Sequence, residues 1–215
     1  MLFAVPETPA EWYERVRAGI DADGYRDVDW RSWRSWPFDG SLWVRPLDPP
    51  ATTEPPRAGA GGNDCAQCER SQGAAAADYL VWRDELFMLG LPFEASSLPL
   101  AMFLMTRRHT DLSGLTPDEA QRMGTLLVEV ERAACQVLAV PRIQAVRWGD
   151  GSEHLHWWLM ARPTGMLQLR GTFLSHWDDL LPRQPAEPAR ADAEFVARRL
   201  VERVGGEALA HPGRA

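Results

Sequence analysis

A chain of 215 residues with 45% hydrophobic residues is long enough to bury one real core, and a formal charge of −7 argues against broad attraction to nucleic-acid backbones. It holds no run of about 18 apolar residues that would cross a membrane. Its first residues, with Pro6, Glu7, Pro9 and Glu11, lack the basic-then-apolar order of a secretory signal, so a cytoplasmic protein with no membrane or nucleic-acid partner is expected.

All 23 cationic side chains are arginine, which compositional bias of the coding DNA explains more simply than phosphate recognition does. In chain order, residues 10–20 suit a short amphipathic helix through Trp12, Val16 and Ile20, followed by turns and a tryptophan cluster at Trp30, Trp33, Trp36 and Trp43. Rings at that density favour docking on a neighbouring surface. Residues 46–62 read as a linker, stiffened by Pro46, Pro49, Pro50, Pro55 and Pro56 and loosened by Gly59, Gly61 and Gly62. The organisation expected is an extension and linker over 1–62, a main domain over 63–182 and a helical tail over 183–215.

From Asn63 the pattern is that of an α+β unit. Tyr79–Arg83, Leu86–Leu89 and Leu100–Thr106 read as strands. Thr116 is a good N-cap, Pro117 suits the first helical position and Glu119 completes a capping box. The helix runs to about residue 139, with Ala120, Met123, Leu127, Val130, Ala134, Val137 and Leu138 as its inner stripe. Ile143–Trp148 and His154–Ala161 read as two strands joined through Gly149-Asp150-Gly151, Phe173–Leu181 as a short helix, and Ala191–Val204 as a last helix with Phe195, Val196, Leu200 and Val204 inward.

Two segments carry the chemistry, Cys65-Ala-Gln-Cys68 and Glu153-His154-Leu155-His156-Trp157-Trp158. On a strand, His154, His156 and Trp158 project to one side. A CxxC turn lets two thiolates approach one ion, and His154 and His156 can supply the two histidines that complete a zinc shell, with His109 at a strand end as a third candidate. A redox dithiol is the alternative for Cys65 and Cys68, without the βαβ surroundings it would need. Cys135, on the long helix, suits a small buried hydrophobe.

The order of these elements from Asp64 to Pro163 resembles the zinc-containing branch of the histidine triad (HIT) superfamily of nucleotide hydrolases and transferases. Asp64–Cys68 matches its Asp-Cys-x-x-Cys opening, Met105-Thr106-Arg107-Arg108-His109 its strand ending in a basic pair and histidine, and Leu115–Glu119 its helix start. The resemblance implies a HIT-like antiparallel sheet with one long helix. It further implies a structural zinc on Cys65, Cys68, His109 and His154, a nucleophilic His156 that forms a covalent nucleotidyl intermediate, and a homodimer paired through the helix that begins at Thr116.

The triad itself departs from the family. Trp158 stands where the third histidine or a glutamine belongs, and an indole has one N–H donor and no acceptor. Arg147-Trp148-Gly149 replaces an asparagine-glycine segment, Asp150-Gly151 falls where a phosphate cradle is expected, and no ribose-binding aspartate is visible near Leu89-Gly90-Leu91. Arg147 and Arg162 are candidates to supply charge for a small phosphorylated ligand or nucleotide, with Trp158 shaping the pocket. A second register, Ser152, His154 and His156, would make His154 the middle residue and take a ligand from the metal; the first keeps Gly149 seven positions before His156. A degenerate HIT-like binding protein with a structural zinc is the functional alternative to an enzyme. A third reading places His156 on a catalytic zinc with water in an open position.

Overall fold

The computed structural model describes residues 7–19, 32–40, 45–73 and 75–210. The chain divides into two units, Met1–Pro55 and Pro56–Ala215. In the first, helix α1 (Pro9–Ala18) starts at Thr8, whose side chain and that of Glu11 satisfy each other's backbone N–H groups. The helix buries none of its residues. Trp36 meets Trp33 and Phe38 edge to face, with centroids 6.5 and 5.5 Å apart. Ile20, Trp30 and Trp43 lie outside the described residues. Residues 45–56 form no helix or strand and are exposed throughout.

The second unit is built on a six-stranded antiparallel sheet, β1 (Leu80–Arg83), β2 (Phe87–Gly90), β3 (Leu100–Thr106), β4 (Gln144–Val146), β5 (His156–Ala161) and β6 (Glu207–Ala208), in the order β4-β5-β3-β2-β1-β6. Three short helices, α2 (Ala66–Arg70), α3 (Ala75–Tyr79) and α5 (Leu174–Leu180), and two long ones, α4 (Pro117–Val137) and α6 (Ala186–Val204), complete it. It is an α+β fold of the kind expected.

β3 is buried along its whole length because both faces of the sheet are covered. Met102 and Leu104 join a core with Leu126, Val130 and Ala133 of α4 and Val196 and Leu200 of α6. Phe103 and Met105 point the other way and pack with Tyr79 and Met88. The capping box of α4 forms as read from Thr116 and Glu119. Its inner stripe is turned from the expected one: Leu126 and Ala133 are fully buried, whereas Ala120 is exposed and Val137 is 39% exposed. α4 packs against α6 as well as the sheet, so the buried arc is wider and displaced. For the same reason Val196 and Ala197 of α6 are buried and Phe195 is exposed.

β6 follows a Gly205-Gly206 turn and pairs with β1. A Cβ on Gly206, where φ is +86°, would stand 2.6 Å from the Trp82 ring, so this chain reversal requires glycine.

Candidate metal centre and histidine strand

Asp64 takes φ +48°, the one positive value outside glycine among the described residues, and this turn drives Cys65 inward just before α2 begins. α2 then carries Cys68 round one turn. His109 comes from the end of β3, where the flanking Arg108 is held by both Glu119 carboxylate oxygens at 2.6 Å. The Leu155 N–H donates to the Thr110 carbonyl at 2.7 Å, which ties the two histidine-bearing segments together.

His154 precedes β5, which begins only at His156. The His154 ring is fully buried, with Nδ1 3.4 Å from Cys65 Sγ and 3.3 Å from Cys68 Sγ. Its Nε2 faces the Thr106 carbonyl at 2.8 Å, and since a carbonyl only accepts, Nε2 carries the proton and Nδ1 presents a lone pair to the sulfurs. His109 Nδ1 lies 3.6 Å from Cys68 Sγ, and its Nε2 is 3.5 Å from the Glu153 carboxylate, which also accepts from the Gly61 N–H at 3.0 Å.

The structure thus brings Cys65, Cys68, His109 and His154 together, with one donor atom from each within 4.8 Å of the others. Their spacing can be tested against zinc. Bonds of about 2.3 Å to sulfur and 2.05 Å to nitrogen at tetrahedral angles separate S and N by about 3.6 Å. The observed 3.3, 3.4 and 3.6 Å fit such a shell. The donor set, two sulfurs and two imidazoles without a carboxylate, suits zinc and not magnesium or calcium. Burial pushes the Cys68 thiol up to about 11 and lowers His154, so both groups favour their neutral forms until a cation offsets the cost. Four protein donors leave no position for water, so a metal here would act as a clamp. Its protein shell is closed over by residues 59–62: Gly59 has φ +76°, and a Cβ there would meet the Cys65 Cβ at 3.2 Å.

His156 stands apart from this cluster. Its Nδ1 faces the His154 carbonyl at 2.8 Å, so that nitrogen holds the proton and Nε2 is bare. The ring meets Phe103 edge-on at 5.6 Å. Trp158, next on the same face, packs on Phe103 at 4.4 Å and on Trp148 at 5.8 Å. A cleft of about 310 Å3 begins at Trp158 and runs past Trp148, Met160 and His176 to Asp178 and Asp179.

The two arginines expected to supply ligand charge both have acceptors within the protein. Arg147 is paired with Asp111, which also accepts from Arg57 at 2.6 Å, and Arg57 donates to the Gly149 carbonyl at 2.8 Å. Burial opposes the charge on Asp111, yet the Arg57, Leu112 N–H and Arg147 donors hold its carboxyl below the ordinary range. Arg162 lies six residues beyond His156, about 20 Å along the strand, and donates to the Pro163 carbonyl at 3.0 Å. The sequence reading missed Arg57 and Asp111 altogether, because a partnership 54 residues apart leaves no local pattern.

No family model matches this chain, and no curated protein does. Among solved structures it is similar to a zinc-bound histidine triad family protein from Mycobacterium smegmatis, at 20% identity and TM-score 0.42 over 57% of this chain and 84% of that one. A histidine triad protein from Bradyrhizobium japonicum matches at 17% identity and TM-score 0.46, over 60% and 97%. Histidine triad proteins are what this chain is similar to. A uridylyltransferase mutant also matches, at 19% identity and TM-score 0.47, over 68% of this chain and 50% of that one.

Proposed function

We propose that this chain is a histidine-triad-like protein in which zinc on Cys65, Cys68, His109 and His154 clamps the N-terminal part of the domain to the sheet, and in which His156 is a nucleophile toward phosphorus. The observation that carries this reading is the 2.8 Å contact between His156 Nδ1 and the His154 carbonyl, which fixes the tautomer. The carbonyl of His154, a residue whose ring lies against the cysteine pair, accepts the hydrogen bond from Nδ1–H and so leaves the lone pair on Nε2. In the reaction, Nε2 forms an N–P bond as the P–O bond to the leaving group breaks, with its electron pair going to the departing oxygen. Water or another O–H acceptor then forms an O–P bond as the N–P bond breaks, the N–P electrons return to Nε2, and the acceptor's proton passes to solvent.

Trp158 can donate a hydrogen bond but cannot pass a proton on, so leaving groups that depart as stable oxyanions suit the site better than amines or alkoxides. A nucleoside polyphosphate or nucleotide sugar is the ligand class this supports. Incubation with a labelled dinucleoside polyphosphate is expected to leave an acid-labile adduct on His156, lost in His156→Ala while zinc and fold are kept. Trp158→His should raise turnover if the site is a weakened triad. No adduct and no gain would favour the other reading, a ligand-binding protein without turnover, which the packing of Trp158 between Phe103 and Trp148 supports.

The reading includes a cytoplasmic homodimer. Among the described residues no helix is long and apolar enough to cross a membrane, and Val128 and Val137 of α4 are exposed where a second copy would pack. Light scattering at micromolar concentration is expected to give twice the 24.1 kDa chain mass; a monomer would remove this part of the proposal.

A further inference from the structure

Away from His156, the loop after β2, α3 and the first turn of α6 enclose a cleft of about 200 Å3 with two arginines in its wall. Arg190 is spent: it pairs with Glu194 at 2.8 Å and donates to the carbonyls of Asp78 at 2.7 Å and Ala77 at 2.9 Å. Arg70, the last residue of α2, is not. Its guanidinium carbon stands 3.9 Å from the centre of the Tyr79 ring and 4.1 Å from that of Phe93, so aromatic rings clamp both faces of the plane. Nη1 is buried without a hydrogen-bond partner, and no carboxylate pairs with Arg70 among the described residues.

Stacking holds the fork rigid and leaves only its edge for hydrogen bonds. A guanidinium with one nitrogen withdrawn from water without an acceptor is costly to hold, and the cost is offset when an oxyanion takes its remaining N–H groups in the plane. We propose that this cleft binds the carboxylate or phosphate group of a small molecule, with Arg70 as the recognising side chain and Tyr79 and Phe93 as its clamp. The cleft volume admits a compact ligand only. Glu94 and Asp78 at the wall disfavour several charges on the same ligand.

The test is thermal melting and calorimetric titration of the full chain in chloride buffer, with inorganic phosphate in one arm and acetate in the other. Saturable binding of at least one is expected, with a rise in melting temperature. Arg70→Met, which keeps the stacked stem, should weaken it at least tenfold, and Phe93→Ala, which frees one face, several-fold. His156→Ala should leave it unchanged, which separates this cleft from any phosphate held beside that histidine. Binding that survives Arg70→Met, binding that vanishes in His156→Ala, or no binding of either anion to the wild-type chain overturns the proposal. If Arg70→Met does not fold, Phe93→Ala decides alone, since unchanged affinity there also overturns it.

Discussion

His154 and His156 are two residues apart and have opposite surroundings. His154 is fully buried, with one nitrogen on the Thr106 carbonyl and the other between two sulfurs, and the segments around it are tied by Leu155 to Thr110 and by Glu153 to Gly61. His156 is half-buried, has one nitrogen committed and one free, and leans on aromatic rings that make few directional demands. The contrast teaches why one strand end can serve two purposes. Ligands from α2, β3 and the turn before β5 converge only if all three backbones are fixed, and that fixed backbone then offers the His154 carbonyl to orient the next imidazole.

The strongest way to break this comparison is Cys65→Ala. Zinc content should fall from about one per chain to near zero, and stability by about 4 kcal/mol where free zinc stands a thousandfold above its Kd, or about 10 °C in melting temperature. Elemental analysis and a melting curve check both. Unchanged melting would mean that the cluster is held by thiol hydrogen bonds alone.

A smaller effect is expected at the link between the two regions. Asp111→Ala strands Arg57 and Arg147, both partly buried, and should cost about 2–3 kcal/mol by denaturant unfolding. Because Arg57 holds the Gly149 carbonyl beside Trp148, the tryptophan fluorescence should shift as well. A change in stability without a change in fluorescence would show that the tryptophan side is independent of this network.

The smallest effect belongs to Glu119, which braces Arg108 beside His109. Arg108, opposed by burial and helped by the Thr116 bonds, lowers its carboxyl to about 2 from an ordinary 4.5. Its contribution is therefore complete above about pH 4.5 and is lost as pH falls toward 2. Glu119→Gln should cost about 1–2 kcal/mol at neutral pH and flatten the acid side of the stability profile between those values. An unaltered profile would count against the bracing role.

What the sequence disclosed follows the range of the interactions. The start of α4 was readable because Thr116, Pro117 and Glu119 satisfy one another within four positions, and β3 because a strand covered on both faces is a continuous apolar run. The gathering of Cys65, Cys68, His109 and His154 was inferred from motif order, since no local pattern links positions 89 residues apart. β6 escaped because two residues, Glu207 and Ala208, carry no periodicity; they form a strand only because β1 has an open edge there. The Arg147–Asp111 pair, 36 positions apart, left no local pattern either. The placement of His154 ahead of β5 also lay beyond reach, as alternation predicts directions only once a strand has begun.

The connection over residues 45–56 has a consequence for handling the protein. Its charged residues each precede proline, at Arg45-Pro46, Asp48-Pro49 and Glu54-Pro55, and proline restricts the residue before it to extended geometry. Endoproteases that cut after arginine or glutamate work poorly at such bonds. The next arginine, Arg57, is anchored to Asp111, and the Ala58 backbone pairs with Gly151 and Glu153. An exposed segment of this composition would ordinarily be the first place a chain is nicked; here the order of its residues armours it against trypsin, while the Asp48-Pro49 bond gives dilute acid a single point of entry within it.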